Sequence, residues 1–192
     1  MSDDHMTDFD RFGRITASVV SAILRSEGET RSAKWAWRVI TGREPIKPPG
    51  PDCERGLEHE DDAIAAAEAQ LCALARPGRF VSHRDFDWLG ASPDGFIEEG
   101  GLAIPIEAKC PRQLHAEIPP KYCDQVQTQI ECCNVPHAYF VSWTESGGKW
   151  VTKVERDPAW WSRSKPILEA FYNDYVLKDV EPPRAQRRKK EK

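Results

Sequence analysis

The sequence lacks several features that would place it in a specialised class of protein. No apolar run approaches the roughly 20 residues that a membrane-spanning helix needs. The acidic first ten residues contain no apolar core segment, so neither a secretory signal nor a transit peptide is expected. Six cysteines are present, but none has the CxxC spacing of a zinc ribbon or a redox motif. We therefore expect free thiols in a reducing cytoplasm, with no disulfide scaffold and no membrane partner.

What is present is an ordinary globular composition with an uneven charge. The 192 residues are 40% hydrophobic and 30% charged, which predicts one domain over residues 1–180 with a sizeable core. The net charge is −4, and an acidic protein is not the usual partner of nucleic acid. Residues 181–192 nevertheless carry six basic and two acidic side chains. This segment is expected to be a flexible basic tail that either contacts DNA or only aids solubility.

Hydrophobic periodicity predicts a mixed β-sheet flanked by helices, an α/β fold. A proline-rich loop is expected at 44–52 and a turn at Ser92–Gly95. The predicted helices span 16–25, 32–41, 56–76, 119–133 and 158–178, and the predicted strands span 80–90, 102–109, 137–144 and 148–155.

The long helix predicted over 56–76 contains a candidate acidic residue. Its apolar stripe consists of Leu57, Ile64, Ala67, Leu71 and Leu74. Glu60 lies three residues after Leu57 and four before Ile64, so it shares that stripe. A simpler explanation is that an acid in the first helical turn interacts favourably with the helix dipole.

Two further acids and a lysine have a suggestive order and spacing. Glu107 and Lys109 are two residues apart in the strand predicted over 102–109, so their side chains rise from one face. Asp94 precedes Gly95 in a turn about a dozen residues earlier. Either feature alone indicates only a surface ion pair or a turn. Together they match the PD-(D/E)xK nuclease signature, in which two carboxylates converge and need a cation such as Mg²⁺ or Mn²⁺.

The helix predicted over 119–133 places two glutamines on one face. Gln125 and Gln129 share this face with Tyr122, Val126, Ile130 and Cys133. Two amides on such a face need hydrogen-bond partners, or they fold outward to water.

Five segments in order resemble the phage lambda exonuclease, or YqaJ-type viral alkaline exonuclease, family. They lie at 11–18 (RFGRITAS), 56–63 (GLEHEDDA), 91–95 (ASPDG), 107–111 (EAKCP) and 122–127 (YCDQVQ). The resemblance implies a restriction-endonuclease-like PD-(D/E)xK core and a metal-dependent 5′→3′ exonuclease acting on double-stranded DNA ends. It also implies a homotrimer, a single-strand annealing protein as partner, a role in recombination, and a phage or prophage protein in the bacterial cytoplasm.

The resemblance also implies roles for individual residues. Asp94 and Glu107 would bind Mg²⁺, with Mn²⁺ as a substitute, and Lys109 would orient the attacking water. Glu60 and Gln125 would support the metal and the water. Arg11, Ser18 and Ser92 would bind the 5′-phosphate, a role that an arginine near a helix N-terminus suits.

Two alternatives remain open at this stage. A RecB-like PD-(D/E)xK nuclease with an iron–sulfur cluster would need four suitably placed cysteines. The spacing of Cys123, Cys132 and Cys133 does not favour it. A non-catalytic DNA-binding scaffold with a degenerate site is the other alternative, and the presence of every expected catalytic residue argues against it.

Overall fold

The computed structural model describes residues 11–25, 32–45, 48 and 50–183. Its helices are α1 (Ala17–Leu24), α2 (Ala33–Ile40), α3 (Pro51–Glu58), α4 (Glu60–Leu71), α5 (Pro120–Cys133) and α6 (Pro158–Phe171), and a π-helical segment (Tyr172–Val176) follows α6. Its strands are β1 (Ile15–Thr16), β2 (Ala75–Pro77), β3 (Val81–Ser82), β4 (Leu89–Ala91), β5 (Gly95–Glu99), β6 (Leu102–Lys109), β7 (His137–Trp143) and β8 (Lys149–Glu155). In the described part of the chain, no helix has the length and apolar character that crossing a membrane requires.

The main sheet has the strand order β2-β5-β6-β7-β8. Its β6–β7 pair is parallel and its other pairs are antiparallel, so the sheet is mixed. A smaller sheet has the order β1-β4-β3. Helices α4 and α5 both contact β6 and β7. The predicted α/β architecture, a central mixed sheet flanked by helices, is confirmed.

Two hydrophobic cores lie side by side and share α5. The first core contains residues of α1, α2, β4 and α6, and the second contains residues of α4, β5, β6 and β7. Helix α5 contributes Cys132 to the first core and Val126 and Ile130 to the second. The tryptophans Trp37 and Trp160 are buried in the first core, and Trp35 and Trp161 pack against it.

The prediction of a single helix over 56–76 is wrong. His59 separates α3 from α4, and α4 ends at Leu71 because Cys72 adopts a left-handed conformation with φ of 52°. The chain then forms β2. The predicted stripe is therefore not continuous: Leu57 lies before the break and is 67% exposed, Leu74 lies beyond the end of α4 and is 85% exposed, and Ala67 within α4 is buried.

Two smaller predictions also need correction. The strand predicted over 80–90 is two short strands, β3 and β4, joined by a turn in which the Asp85 amide donates to His83 Nδ1 at 3.1 Å. The loop predicted over 44–52 ends earlier, because Pro51 occupies the first turn of α3, where its missing N–H costs nothing. The predicted boundary between a domain at 1–180 and a basic tail stays a prediction, since residues 184–192 lie outside the described residues.

Candidate active site

Two neighbouring strands bring the predicted acidic pair together. The Asp94 amide donates to the Ile106 carbonyl at 3.0 Å, directly before β5 pairs with β6. The Asp94 carboxylate, through Oδ2, accepts a hydrogen bond of 2.7 Å from the Ala108 amide. Asp94 is thereby fixed beside Glu107, as the spacing predicts.

Glu107 is fully buried and receives three side-chain donors. Lys109 Nζ and Gln125 Nε2 both donate to its Oε1, the latter at 2.6 Å, and Gln129 Nε2 donates to its Oε2. The solvated ion pair that the ExK spacing also allowed is therefore excluded in this arrangement. Lys109 and Gln125 belong to the predicted set. The helix spacing predicts the face on which Gln129 lies but no role for it, and the structure adds its contact with Glu107.

The environment of Asp94 disfavours its charged form. Burial, reinforced by the nearby negative charge of Glu107, raises the pKa of Asp94 to about 8. The charge of Lys109 and the Ala108 amide oppose this shift without cancelling it. A positive charge that binds at the site would therefore stabilise the carboxylate form of Asp94.

Lys109 keeps its charge despite being largely enclosed. Burial works to lower the pKa of Lys109, but the charges of Glu107 and Asp94 and the hydrogen bond to Glu107 raise it above its ordinary value. Its Nζ also lies 5.3 Å from the centre of the Tyr122 ring, a cation–π arrangement. Lys109 is thus an ammonium group held at the carboxylates.

A cleft with two lobes surrounds these groups. The first lobe, about 690 Å³, contains Asp94, and the second lobe, about 730 Å³, contains Lys109. Four residues line both lobes and form the wall between them: Ser18, Leu57, Glu60 and Gln125. Burial raises the pKa of Glu60, with contributions from Glu107 and Asp61. Glu60 therefore lines the cleft, and it also occupies the first turn of α4, as the simpler explanation expects.

The three residues expected at the 5′-phosphate all line the first lobe. They are Arg11, Ser18 and Ser92. The Ser92 hydroxyl is buried and has no hydrogen-bond partner among the described residues, so it has a donor to offer. Ser18 Oγ is 3.1 Å from Thr16 Oγ1 at the start of α1. Phosphate binding by these residues stays a prediction.

The donor set suits a hard divalent cation, although no complete metal cluster is assembled. Within the described ranges, no three His, Cys, Asp or Glu side chains are grouped closely enough to hold an ion. Among the described residues, the Asp94 and Glu107 carboxylates accept four hydrogen bonds, all from N–H or ammonium donors. Oxygen donors from Asp94 and Glu107, with the raised pKa of Asp94, fit Mg²⁺ or Mn²⁺. Metal binding by Asp94, Glu107 and Glu60 stays a prediction.

The cysteines give no support to an iron–sulfur site. All six are free, and Cys110 and Cys132 are buried in different cores. Burial raises the pKa of the Cys110 thiol to about 11 and that of Cys133 to about 12, so both are protonated at neutral pH. Cys110 also donates to the His59 carbonyl, a structural contact beside the site.

Comparisons with known proteins agree with this architecture. The profile of the YqaJ-like viral recombinase domain matches residues 9–136. No curated protein sequence matches the chain. An alkaline exonuclease (LHK-Exo) from Laribacter hongkongensis is similar in structure, with a TM-score of 0.74 and 23% identity over 91% of this chain and 95% of that one. A phage-related exonuclease from Haemophilus somnus 129PT has a TM-score of 0.64 and 13% identity over 87% and 96%. At these identities the structural likeness shows the fold.

Proposed function

Because the chain belongs to the YqaJ-like viral recombinase domain family, we propose that it is a metal-dependent exonuclease acting on linear double-stranded DNA. It degrades one strand in the 5′→3′ direction, releases 5′-mononucleotides and leaves a 3′ single strand. The activity serves homologous recombination of the phage type in a bacterial cytoplasm. The similar solved structures include exonucleases, one of them described in complex with dAMP.

One observation carries the proposal: the buried Glu107 carboxylate is held beside Asp94 by Lys109, Gln125 and Gln129 at an open cleft. A carboxylate buried only for stability would not also need a charged lysine and a glutamine amide that both line the cleft. The same arrangement disfavours the scaffold alternative, because a surface that only binds DNA needs no lysine held against two neighbouring buried carboxylates.

The residues divide the work of phosphodiester hydrolysis. Asp94 and Glu107 would hold Mg²⁺ or Mn²⁺, with Glu60 beside them, and a bound cation supplies Lewis-acid stabilisation of charge on the phosphoryl oxygens. Lys109 orients the attacking water and stabilises the negative charge that develops on the phosphate. Gln125 and Gln129 keep the Glu107 carboxylate in one orientation. Arg11, Ser18 and Ser92 hold the 5′-phosphate, so that the first phosphodiester bond lies at the acids.

The remaining parts of the proposal concern assembly and partners. A homotrimer would enclose the DNA and keep an acidic chain on its substrate without a globally basic surface. A single-strand annealing protein would take up the exposed 3′ strand. Sedimentation of the purified chain tests the trimer, and co-purification with the annealing protein of the same phage tests the partner.

The decisive experiment compares linear with closed-circular duplex DNA in Mg²⁺. We expect loss of the linear form only, faster from 5′-phosphorylated ends, and no loss in EDTA. Lys109→Ala should abolish digestion while the far-ultraviolet circular dichroism spectrum is retained. Lys153→Ala is the matched control, since Lys153 pairs with Glu155 two residues away on the exposed face of β8. Digestion by Lys109→Ala at a rate near the wild type would overturn the assignment.

A further inference from the structure

Glu60 lines both lobes of the cleft, but no neighbouring group holds its carboxylate. Within the described ranges it accepts no hydrogen bond and joins no ion pair, whereas Glu107 accepts three hydrogen bonds from side chains. The place of the Glu60 carboxylate therefore depends on the backbone that carries it. Glu60 is the first residue of α4, so that backbone is set by the break at His59.

The hydrogen bonds of the main chain do not by themselves produce this break. The His59 amide donates to the Arg55 carbonyl at 3.1 Å, and the Ala63 amide donates to the His59 carbonyl at 3.1 Å. Both are the i to i−4 bonds of an α-helix, so a continuous helix would make them equally well. His59 instead has φ of −114° and ψ of 13°, outside the helical range. Contacts with other elements must hold it there, and the Cys110 thiol, a weak donor to the same carbonyl, is one of them.

The His59 imidazole joins α4 to the hairpin formed by β7 and β8. Its Nδ1 lies 2.9 Å from Asp62 Oδ2 on α4, and its Nε2 lies 3.1 Å from Glu145 Oε1 in the hairpin turn at residues 144–148. Its ring packs against that of Trp143, the last residue of β7, with 5.0 Å between the ring centres. Only 18% of the His59 side chain is exposed. One side chain thus ties the start of α4 to the hairpin.

The turn that carries Glu145 is itself closed by hydrogen bonds. The Thr144 amide donates to the Gly148 carbonyl at 2.9 Å, and the Gly148 amide donates to Thr144 Oγ1 at 3.0 Å. Strand β7 before the turn is paired with β6, where Ser142 lies opposite Lys109. The turn is therefore in fixed register with the strand that carries the lysine and the buried acid of the site.

We propose that His59 is a positioning residue for Glu60. Held between Asp62 and Glu145, it fixes how α4 begins, and so sets where the Glu60 carboxylate lies relative to the groups on β6. The role of Glu60 beside the metal is taken from the proposed function. The hairpin turn contributes to the site through His59, although none of its residues lines either lobe of the cleft.

A double-mutant cycle of His59 with Glu60 tests this coupling. The measurement is Mn²⁺ affinity in calorimetric titrations without DNA. His59→Leu should lower the affinity about 10- to 100-fold, as the loss of an orienting group does at metal sites. In the Glu60→Gln background, the same change should lower it by less than about twofold, because the group that His59 positions is already altered.

Two readouts distinguish positioning from a loss of fold. His59→Gln keeps one N–H donor, so it should recover part of the Mn²⁺ affinity that His59→Leu loses. On linear duplex in Mg²⁺, His59→Leu should lower kcat while KM stays within about twofold of the wild type, because the residues expected to bind the 5′-phosphate are unchanged.

Two further variants provide the control and a milder perturbation. Gln70→Leu removes another tie between α4 and the hairpin, the hydrogen bond of 3.2 Å from Gln70 Nε2 to the Val151 carbonyl. It should keep the Mn²⁺ affinity and kcat of the wild type. Glu145→Ala removes a side chain that is 60% exposed, and it answers the same question should His59→Leu not fold. It should lower Mn²⁺ affinity about two- to fivefold, the effect of an exposed ion pair.

The positioning role is overturned if Glu145→Ala or a folded His59→Leu binds Mn²⁺ as the wild type does. It is equally overturned if His59→Leu costs the same affinity with and without Glu60, if Gln70→Leu loses as much, or if the wild type binds no Mn²⁺. The proposed function fails on a different result: a wild type in which the cycle shows the coupling but linear duplex stays intact in Mg²⁺.

Discussion

At the scale of single residues, replacing Gln129 tests whether a side chain behind Glu107 affects metal binding or only the stability of the fold. It is fully buried and donates to Glu107 Oε2. Gln129→Leu leaves that carboxylate oxygen without a donor. The free energy of unfolding should fall by about 1–3 kcal/mol in urea titrations, the cost of a buried unsatisfied acceptor. Mn²⁺ affinity in calorimetric titrations should fall about 10- to 100-fold, because the ligand loses its orientation.

Gln127 provides the matched control on the same helix. Its amide donates to the Glu155 carbonyl at 2.8 Å and accepts from the Asp157 amide at 2.9 Å, away from the acids. Gln127→Leu should therefore destabilise the protein to a similar extent without changing Mn²⁺ affinity. Equal losses of Mn²⁺ affinity in the two variants would show that Gln129 acts only through stability.

Asp94 should make the stability of the metal-free protein depend on pH. Its pKa in the folded chain, about 8, lies above the ordinary value of 3.8, so the folded state holds this proton more tightly than the unfolded state does. The bound proton stabilises the folded state fully below pH 4, and this stabilisation is lost as the pH rises from 4 toward 8. The free energy of unfolding falls by about 1.4 kcal/mol for each pH unit in that window.

The measurement is the melting temperature in EDTA between pH 6 and 9. Wild-type protein should lose stability over this range more steeply than Asp94→Asn, which has no proton to lose at that position. Addition of Mg²⁺ should flatten the wild-type curve. Parallel curves for the two proteins would show that Asp94 is not the group responsible.

Residue-scale prediction from the sequence succeeds where spacing determines which side chains share a face. The two-residue step from Glu107 to Lys109 predicts that both side chains lie on one face of β6. The four-residue step from Gln125 to Gln129 predicts the same for α5. Spacing does not reveal a partner on another element. The contact of Gln129 with Glu107 joins positions 22 residues apart, and it follows only from the way α5 lies against β6.

At the scale of elements, the close approach of β2 to the turn before β5 positions Asp94. A Cβ at Gly78 would lie 2.1 Å from the Pro93 carbonyl oxygen and 2.9 Å from the Asp94 carbonyl oxygen. Gly78→Ala must therefore displace this backbone. We expect kcat/KM on linear duplex to fall about 100-fold, the effect of a misplacement near 1 Å. The loss of unfolding free energy should be about 1–3 kcal/mol.

Gly50→Ala is the control for the Gly78 prediction. Gly50 precedes α3 with φ of −76°, and a Cβ there would meet no atom within 4 Å. Its kcat/KM should match that of the wild type. Wild-type kcat/KM in Gly78→Ala would mean that the turn carrying Asp94 adapts without cost to the site.

The elements that the sequence mispredicts are those whose ends depend on backbone conformation rather than on hydrophobicity. The strand over 102–109 and the helix over 119–133 were predicted within one residue, because a clear period runs through each of them. The break at His59 could not be predicted from composition, because neither Gly nor Pro lies at or next to it. His59 is instead held by Asp62 at 2.9 Å and by Glu145 at 3.1 Å, and Glu145 is 86 residues away. Such a break places Glu60 at the start of α4.

At the scale of the whole molecule, the cleft separates the two cores. Ser18 and Ser21 lie on α1, which contributes Val19 and Val20 to the first core, whereas Glu60 and Ile64 lie on α4, which packs into the second core. Helix α5 spans both cores and carries Gln125 and Gln129. A partly buried ion pair also ties α5 to the end of α1, since Asp124 is paired with Arg25 at 2.5 Å and accepts from Trp160 Nε1 at 2.9 Å. The site is thus assembled only when both cores are in place.

A ligand that contacts both sides of the cleft should consequently stabilise the whole chain. A 5′-mononucleotide at about 100 times its Kd adds about 2.7 kcal/mol to the free energy of unfolding by mass action. For a chain of this size, that raises the melting temperature by about 5–10 °C.

The matching nucleoside lacks the phosphate that Arg11, Ser18 and Ser92 are expected to bind, so its effect on the melting temperature should be much smaller. Arg11→Ala should lose most of the shift, whereas Arg84→Ala, an exposed arginine that lines neither lobe, should keep it. Equal shifts from nucleotide and nucleoside, or an unchanged shift in Arg11→Ala, would remove the phosphate site from the first lobe while leaving the acids and Lys109 in place.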